Sequence, residues 1–570
     1  MGKLLRVNLT SGEIKYEDLP QEYATLGGRG LTSKIVYDEV PPSTSPLGEE
    51  NKLVFACGIL SGTLVPNNGR ISVGGKSPLT GTIKEANSGG GASHMLARLG
   101  IRAIIVEGKA NKLVNLVVNK NGAQISEVGE LKGVGNYELI EKLKSHYGEK
   151  VSIISIGPAG EMCLKAASVC VTTPDFKIRM ASRGGLGAVM GSKNLKAIVL
   201  DDSNTEPVKV ANPERLKVAT GELSKGILSH PLAQGLRSFG TPLLVMMINS
   251  AGALPTKNYS FGQFEHAERI SGETMAQILE KRPNSSKSHR CMNGCVISCS
   301  NIYTDENGRE LVSGLEYETI GMIGSNCMIG NLDEIALLNR LCNDLGLDTI
   351  EVGAALACAM EGGLINWGDA KAAYALIEAI RESSENGKMI GNGCVITGKT
   401  LGVKRIPHVK GQSLAAYDPR VLKGTGVTYA TSPMGADHTC GNALPSPKNP
   451  QYNPLSREGQ GPVSSYLQRY FAAIDSLGLC LFASLPVLDI PELQKVLIEC
   501  VSAITGIPLG EDYLMQLGSY VLKMERKFNE MAGFTKNDDR LPEFFSKEAL
   551  PGLNTVFDVS EEELDAVFNF

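Results

Sequence analysis

The pattern of apolar and polar positions changes once along the 570-residue chain. Up to about residue 205, short runs rich in Val and Ile are bounded by turn residues. Lys52-Leu-Val-Phe-Ala56, Ala103-Ile-Ile-Val-Glu107, Val151-Ser-Ile-Ile-Ser155 and Leu195-Lys-Ala-Ile-Val-Leu200 have the length and composition of strands. After a polar stretch holding Pro207 and Pro213, apolar positions recur at helical spacing. Residues 331–345 make the logic plain. Asn331 can cap, Asp333 and Glu334 suit the first turn, Ile335, Leu338, Leu341, Cys342 and Leu345 form one face, and Gly346 stops the helix. Asp348-Thr-Ile-Glu351 reads as a capping box opening the next helix. Residues 405–465 lose the period and gain Pro, Gly and Ser, as a long loop serving a site does. Helical spacing returns over 466–530, and the acidic tail from Asp558 to Asp565 predicts a solvated last helix. The expected fold is α+β in three domains: a β-rich segment 1–205, then mainly helical segments 206–410 and 411–570.

Composition narrows the function. Hydrophobic residues make up 42% and charged residues 21%, an ordinary globular balance. The net charge, 56 − 61 = −5, gives no basic excess for nucleic acid or anionic lipid. The start of the chain has no apolar signal region, and apolar runs such as Leu243 to Ile248 fall far below the roughly 18 residues a bilayer span needs. Thirteen cysteines without an export signal point to a reducing, cytoplasmic setting and to thiols or metal ligands rather than disulfides.

The strongest local signal is Cys291-Met-Asn-Gly-Cys295-Val-Ile-Ser-Cys299. Three soft thiol ligands in nine residues suit an iron–sulfur cluster or zinc, and Gly294 permits a tight turn between them. A third reading is an apolar helical stripe with Cys as a small hydrophobe. A four-iron cluster needs a fourth thiol, and Cys480, just past a helix end expected at Gly478, is suitably placed. Glycines beside Arg and Asn recur in the first segment: Leu26-Gly-Gly-Arg-Gly30, Pro66-Asn-Asn-Gly-Arg70, Gly75-Gly-Lys-Ser-Pro78, Asn87-Ser-Gly-Gly-Gly91 and Ser182-Arg-Gly-Gly-Leu-Gly187. None has phosphate-loop or dinucleotide-fold spacing. Together they suggest close backbone approach to a large phosphorylated or pterin-like ligand.

With these motifs the chain resembles the tungsten-containing aldehyde:ferredoxin oxidoreductase family nearly end to end. Further matching segments are Arg70-Ile-Ser-Val-Gly-Gly-Lys-Ser-Pro-Leu-Thr-Gly81, Arg183-Gly-Gly-Leu-Gly-Ala-Val-Met-Gly-Ser-Lys-Asn-Leu-Lys196, Glu316-Tyr-Glu-Thr319, Gly435-Ala-Asp-His438 and Asp475-Ser-Leu-Gly-Leu-Cys480. The resemblance implies a tungsten (or molybdenum) bis-pyranopterin, with Mg²⁺ bridging the pterin phosphates near Asn87 and the backbone of Arg179 and Met180. It implies pterin contacts at Arg70, Gly89, Arg179, Arg183, Asn343, Asp348, Asp475 and Leu479. It also implies a [4Fe–4S] cluster on Cys291, Cys295, Cys299 and Cys480. The chain departs from the family pattern twice: three residues rather than two separate the first cysteine pair, and Asn343 replaces an Asp.

The implied reaction oxidises a small aldehyde to a carboxylic acid and passes electrons to ferredoxin or a small Fe–S subunit, in a homodimer or a hetero-oligomer. Glu316, Glu318 and His438 are the expected proton-transfer groups. Cys327 is a candidate metal ligand, as in aryl-CoA reductase relatives. Other readings are a related complex reducing an acid or an acyl- or aryl-CoA thioester, a metal- or pterin-binding protein without turnover, and a zinc-stapled enzyme.

Overall fold

Two six-stranded sheets form from the strand-length runs of the first segment. The computed structural model describes residues 2–445 and 451–570. In the first sheet the strands run in the order Glu13–Asp18, Lys3–Asn8, Ile101–Glu107, Leu53–Cys57, Ile71–Lys76 and Ile83–Ser88. In the second the order is Ile178–Ala181, Val169–Thr172, Val151–Ser155, Leu195–Asp201, Val114–Asn119 and Gly122–Glu127. Each sheet contains one parallel pair, Lys3–Asn8 with Ile101–Glu107 and Leu195–Asp201 with Val114–Asn119.

Side-chain alternation decides how the layers stack. Leu5, Val7, Phe55, Ile104 and Val106 share one core with Leu116, Val118, Ile154, Val171 and Ile198, so the two sheets face each other. The opposite-pointing Leu4, Val54, Ala56 and Ile105 join a core with the helices Gly28–Glu39, Gln460–Leu477 and Tyr513–Met531. The outer face of the second sheet, through Ile153, Cys170 and Val199, is covered by Asn136–Tyr147. Strands buried on both faces explain why these segments read as continuous apolar runs.

Beyond residue 206 the chain is mainly helical. Leu332–Leu345 is capped by the Asn331 side chain and ended by Gly346 in the left-handed region, as its sequence predicts. The capping box at 348–351 forms only by half. Asp348 caps Ile350, but Glu351 reaches away, accepting from the backbone N–H groups of Cys394 and Ser413. Among the described residues two small sheets interrupt the helices: Ser286–His289, Ser300–Thr304 and Glu310–Ser313 form one, and His408–Val409 with Gln412–Ser413 the other. The stretch 405–465 contains a helix, Lys423–Thr431, buried on every side, and five of its positions, 446–450, lie outside the described residues. Among the described residues no helix is long and apolar enough to cross a membrane.

Candidate functional site

The cysteine run lies in the connection between Ser286–His289 and Ser300–Thr304, whose register pairs His289 with Ser300. It is irregular rather than helical, so the apolar-stripe reading is overturned. Cys480 arrives from the other end of the chain as the residue before helix Leu481–Asp489, and its N–H donates to the Asn67 carbonyl at 2.8 Å. Cys291, Cys295 and Cys299 lie close enough to Cys480 for their charges to interact. Burial pushes the Cys291 thiol up to about 12, and it also raises Cys299 and Cys480. Such thiols become thiolates only where a metal supplies the compensating charge. Among the described residues no three His, Cys, Asp or Glu side chains converge on one ion. A polynuclear cluster, whose ligands sit on separate metal atoms, fits these thiols better than a single zinc. All thirteen cysteines are free.

A chain of polar contacts leads from the thiols into the sheet. Arg70 donates its backbone N–H to the Gly478 carbonyl at 3.3 Å, and its Nε meets Asn87 Oδ1 at 2.6 Å. Asn87 Nδ2 donates to Asp475 Oδ1 at 3.2 Å. Arg29, 1% exposed, forks onto Glu525 at 3.0 and 2.8 Å and reaches Asp475 Oδ2 at 3.4 Å. Burial pushes Asp475 up, and Arg29 and Arg70 pull it partly back. Burial, then the Asp475 charge, raise Glu85, whose Oε1 is buried without a hydrogen-bond partner.

A second group lies across Ile83–Ser88. Lys84 Nζ meets Asp437 Oδ2 at 2.8 Å. Burial pushes Asp437 up, but Lys84 and Arg183 outweigh it and hold that carboxyl well below the usual range. Arg183 donates to Asp348 Oδ2 at 3.3 Å, to the Ala436 carbonyl at 2.9 Å and to Ser413 at 2.8 and 3.0 Å. Beside it, Glu318 Oε2 accepts from the Ala416 N–H at 2.9 Å, while Oε1 lies 3.2 Å from His438 Nε2. That approach is not aligned as a hydrogen bond, and Glu318 Oε1 and His438 Nδ1 are both buried without a hydrogen-bond partner. Tyr417 stacks obliquely over His438, with centroids 5.7 Å apart.

Buried charges are normally paired, as Arg29, Lys84 and Arg183 are here, so the polar atoms left without a partner are the informative ones. The orphaned oxygens of Glu85 and Glu318 and the free Nδ1 of His438 fit a large polar cofactor lying along the strand Ile83–Ser88.

The comparisons with known proteins agree. The model described as aldehyde ferredoxin oxidoreductase, N-terminal domain, matches residues 4–202, and that for domains 2 and 3 matches residues 219–568. The chain belongs to the aldehyde ferredoxin oxidoreductase family. It is therefore an oxidoreductase, with a β-rich first part and helical remainder. Family relatives include the tungsten-containing aldehyde ferredoxin oxidoreductases of Pyrococcus furiosus, 35% identical over 96% of this chain and 92% of that one, and of Thermococcus kodakarensis, 34% identical over the same shares. A more distant relative is the aliphatic sulfonate oxidoreductase, WOR-like subunit, of Pyrococcus furiosus, 28% identical over 96% of this chain and 90% of that one. The fold also matches the active site complex BamBC of benzoyl coenzyme A reductase, with a TM-score of 0.81 and 22% identity over 100% of this chain and 93% of that one.

The remaining residues that the resemblance singles out have local partners of their own in this family member. Glu316 accepts from Ser300 at 3.0 Å and from Thr241 at 2.5 Å. Arg179 points into the small sheet, donating to the Ser313 carbonyl at 2.9 Å and the Ser300 hydroxyl at 2.7 Å, while Met180 pairs with Cys170 in the neighbouring strand. Asn343 Oδ1 accepts from Asn339 at 3.3 Å. Leu479 is buried behind the Gly478 turn, and a Cβ on Gly89 would lie 2.8 Å from Cys291 Sγ. Cys327 is fully buried. A π-turn at Ile320–Gly324 and a tight 3₁₀ turn at Ser325–Cys327 fold its Sγ back onto the carbonyls of Met322 and Gly353, at 3.3 and 3.4 Å.

Sequence reasoning missed Arg29, Lys84, Glu85 and Asp437. Arg29 lies inside a glycine-rich motif read as approaching a ligand, and Asp437 inside a segment that carries the family resemblance. Lys84 and Glu85 are adjacent charges on opposite faces of a strand buried on both sides, which was itself the available signal.

Proposed function

We propose that this chain oxidises aldehydes to carboxylic acids at a tungsten, or molybdenum, bis-pyranopterin centre. Its electrons leave singly through a [4Fe–4S] cluster to ferredoxin or a small Fe–S subunit, within a cytoplasmic homodimer or hetero-oligomer. One observation carries this reading. Asp475 and Cys480 flank a single turn, with Arg70 bound to that turn and to Asn87. A group held by Asp475, Asn87 and Arg183 would lie beside a cluster held by Cys291, Cys295, Cys299 and Cys480. The backbone of Arg179 and Met180, in a strand packed beside Ile83–Ser88, would contribute with Asn87 to a Mg²⁺ site.

Aldehyde and water become acid with release of two protons and two electrons. The bound cofactor supplies the two-electron chemistry, and the protein supplies binding and proton transfer. Glu318 is fixed through Oε2 by the Ala416 N–H, leaving Oε1 free to accept a proton from substrate water. His438 Nε2, 3.2 Å from Oε1, can relay that proton, and Asp437, 3.9 Å from Nδ1, steadies the ring when it is charged.

Anaerobically purified protein is expected to hold about four iron atoms and about one tungsten or molybdenum per chain. It should reduce a viologen dye when given an aldehyde. Zinc without iron, tungsten or molybdenum would overturn the reading, and turnover with a thioester but no aldehyde would reassign the substrate. Glu318→Gln is expected to lower kcat on the order of 10²–10⁴-fold with metal content unchanged. An unchanged rate would remove Glu318 from proton transfer.

A further inference from the structure

Asn67 sits where the two cysteine-bearing segments meet. Its φ of +58° lies in the left-handed region, and the residue is 1% exposed. Every polar group it owns is spent on those segments. Its N–H donates to the Gly294 carbonyl at 3.1 Å, and its carbonyl accepts from the Cys480 N–H at 2.8 Å. Its Oδ1 accepts from the Val296 N–H at 3.1 Å, and its Nδ2 lies 3.2 Å from Cys295 Sγ. The amide cannot be turned over. The Val296 N–H is a donor and requires the oxygen, which leaves the NH₂ facing sulfur. The Ser298 N–H approaches the same sulfur at 3.3 Å.

We infer that Asn67 is a positioning residue for the iron–sulfur cluster, and that its amide N–H···S bond at Cys295 raises the cluster's reduction potential. The inference rests on the reading that the four thiols hold a [4Fe–4S] cluster. One-electron reduction adds negative charge that is shared with the ligand sulfurs. A donor aimed at a sulfur therefore stabilises the reduced state more than the oxidised one, and hydrogen bonds to sulfur are a main control of cluster potential. The effect is to make the cluster a readier acceptor of electrons from the substrate site. Asn suits the task because it tolerates a positive φ and offers a donor and an acceptor on one short side chain.

Two variants of the full-length holoenzyme separate tuning from scaffolding. Asn67→Gly keeps the left-handed backbone and both backbone bonds but removes the side-chain donor and acceptor. Asn67→Asp keeps the shape and the acceptor for Val296 but sets a carboxylate oxygen against Cys295 Sγ. Iron per chain and the midpoint potential, from a redox titration followed by electron paramagnetic resonance, are the readouts. Both variants are expected to keep wild-type iron. The Gly variant should be about tenfold less reduced at a fixed potential, a midpoint about 59 mV more negative. The Asp variant should fall further, because a carboxylate oxygen then faces the sulfur in place of a donor. A wild-type midpoint in both iron-loaded variants would overturn the inference. Loss of iron from both would overturn it too, because Asn67 would then only hold the segments together. Failure of the underlying cluster reading is distinguishable, since the wild-type protein would then lack iron before any substitution is made.

Discussion

Two buried positions illustrate opposite uses of a reactive side chain. Arg29 carries its charge into the interior because Glu525 takes it at two points and Asp475 at a third. Removing one partner would leave an uncompensated charge, which costs more than a lost surface pair. Cys327, by contrast, is a buried thiol with no charged partner, beside the second buried thiol of Cys358. Burial pushes it far above the ordinary thiol range, and its Sγ points at two carbonyls. The likeness to aryl-CoA reductase relatives offers it as a metal ligand; the π-turn Ile320–Gly324 before it is a local geometry that no residue in the run announces. Cys327→Ala is accordingly expected to cost about 1 kcal/mol of stability with metal content and turnover unchanged. A variant that folds but loses tungsten or molybdenum would return Cys327 to the metal.

At the scale of elements, glycine placement controls how closely the first segment meets the last. Gly28 opens the helix Gly28–Glu39 with φ +44°, and a Cβ there would stand 2.1 Å from the Asp475 carbonyl oxygen. The sequence reading took this glycine-rich turn for a ligand cradle. Its close neighbour within the chain is the end of the helix Gln460–Leu477. Gly28→Ala combines a strained backbone with a backbone clash and should destabilise by about 3 kcal/mol. It should also lower cofactor content, because it displaces Asp475. Unchanged melting and unchanged metal content together would show that the helix end has room to move. Legibility followed burial. Leu332–Leu345, with one wet face, showed its period, cap and stop in the sequence. Lys423–Thr431, buried all round, has no polar face to create a period and so read as loop. Glu351 had the right spacing for a capping box but was drawn off by Cys394 and Ser413, tertiary partners far along the chain.

For the whole molecule, the division into a β-rich start and helical remainder was readable because it depends on period, which is local. The polar layer was readable only as fragments. Glu85 and Asp475 are 390 residues apart, and neither carries a mark of the other in its own neighbourhood. The same separation sets when the centre can be completed. The seat at Asn67 is made early in synthesis, the run from Cys291 to Cys299 at mid-length, and Cys480 only when most of the polypeptide has left the ribosome. A nascent chain halted before that residue would offer three thiols and no closed site, and it would also lack Asp475. On the proposed reading, loading of iron and of the pterin metal would wait until Asp475 and Cys480 have been made. Cofactors bound there would in turn hold the two ends of the chain together, since anything bound only by the folded form holds it folded.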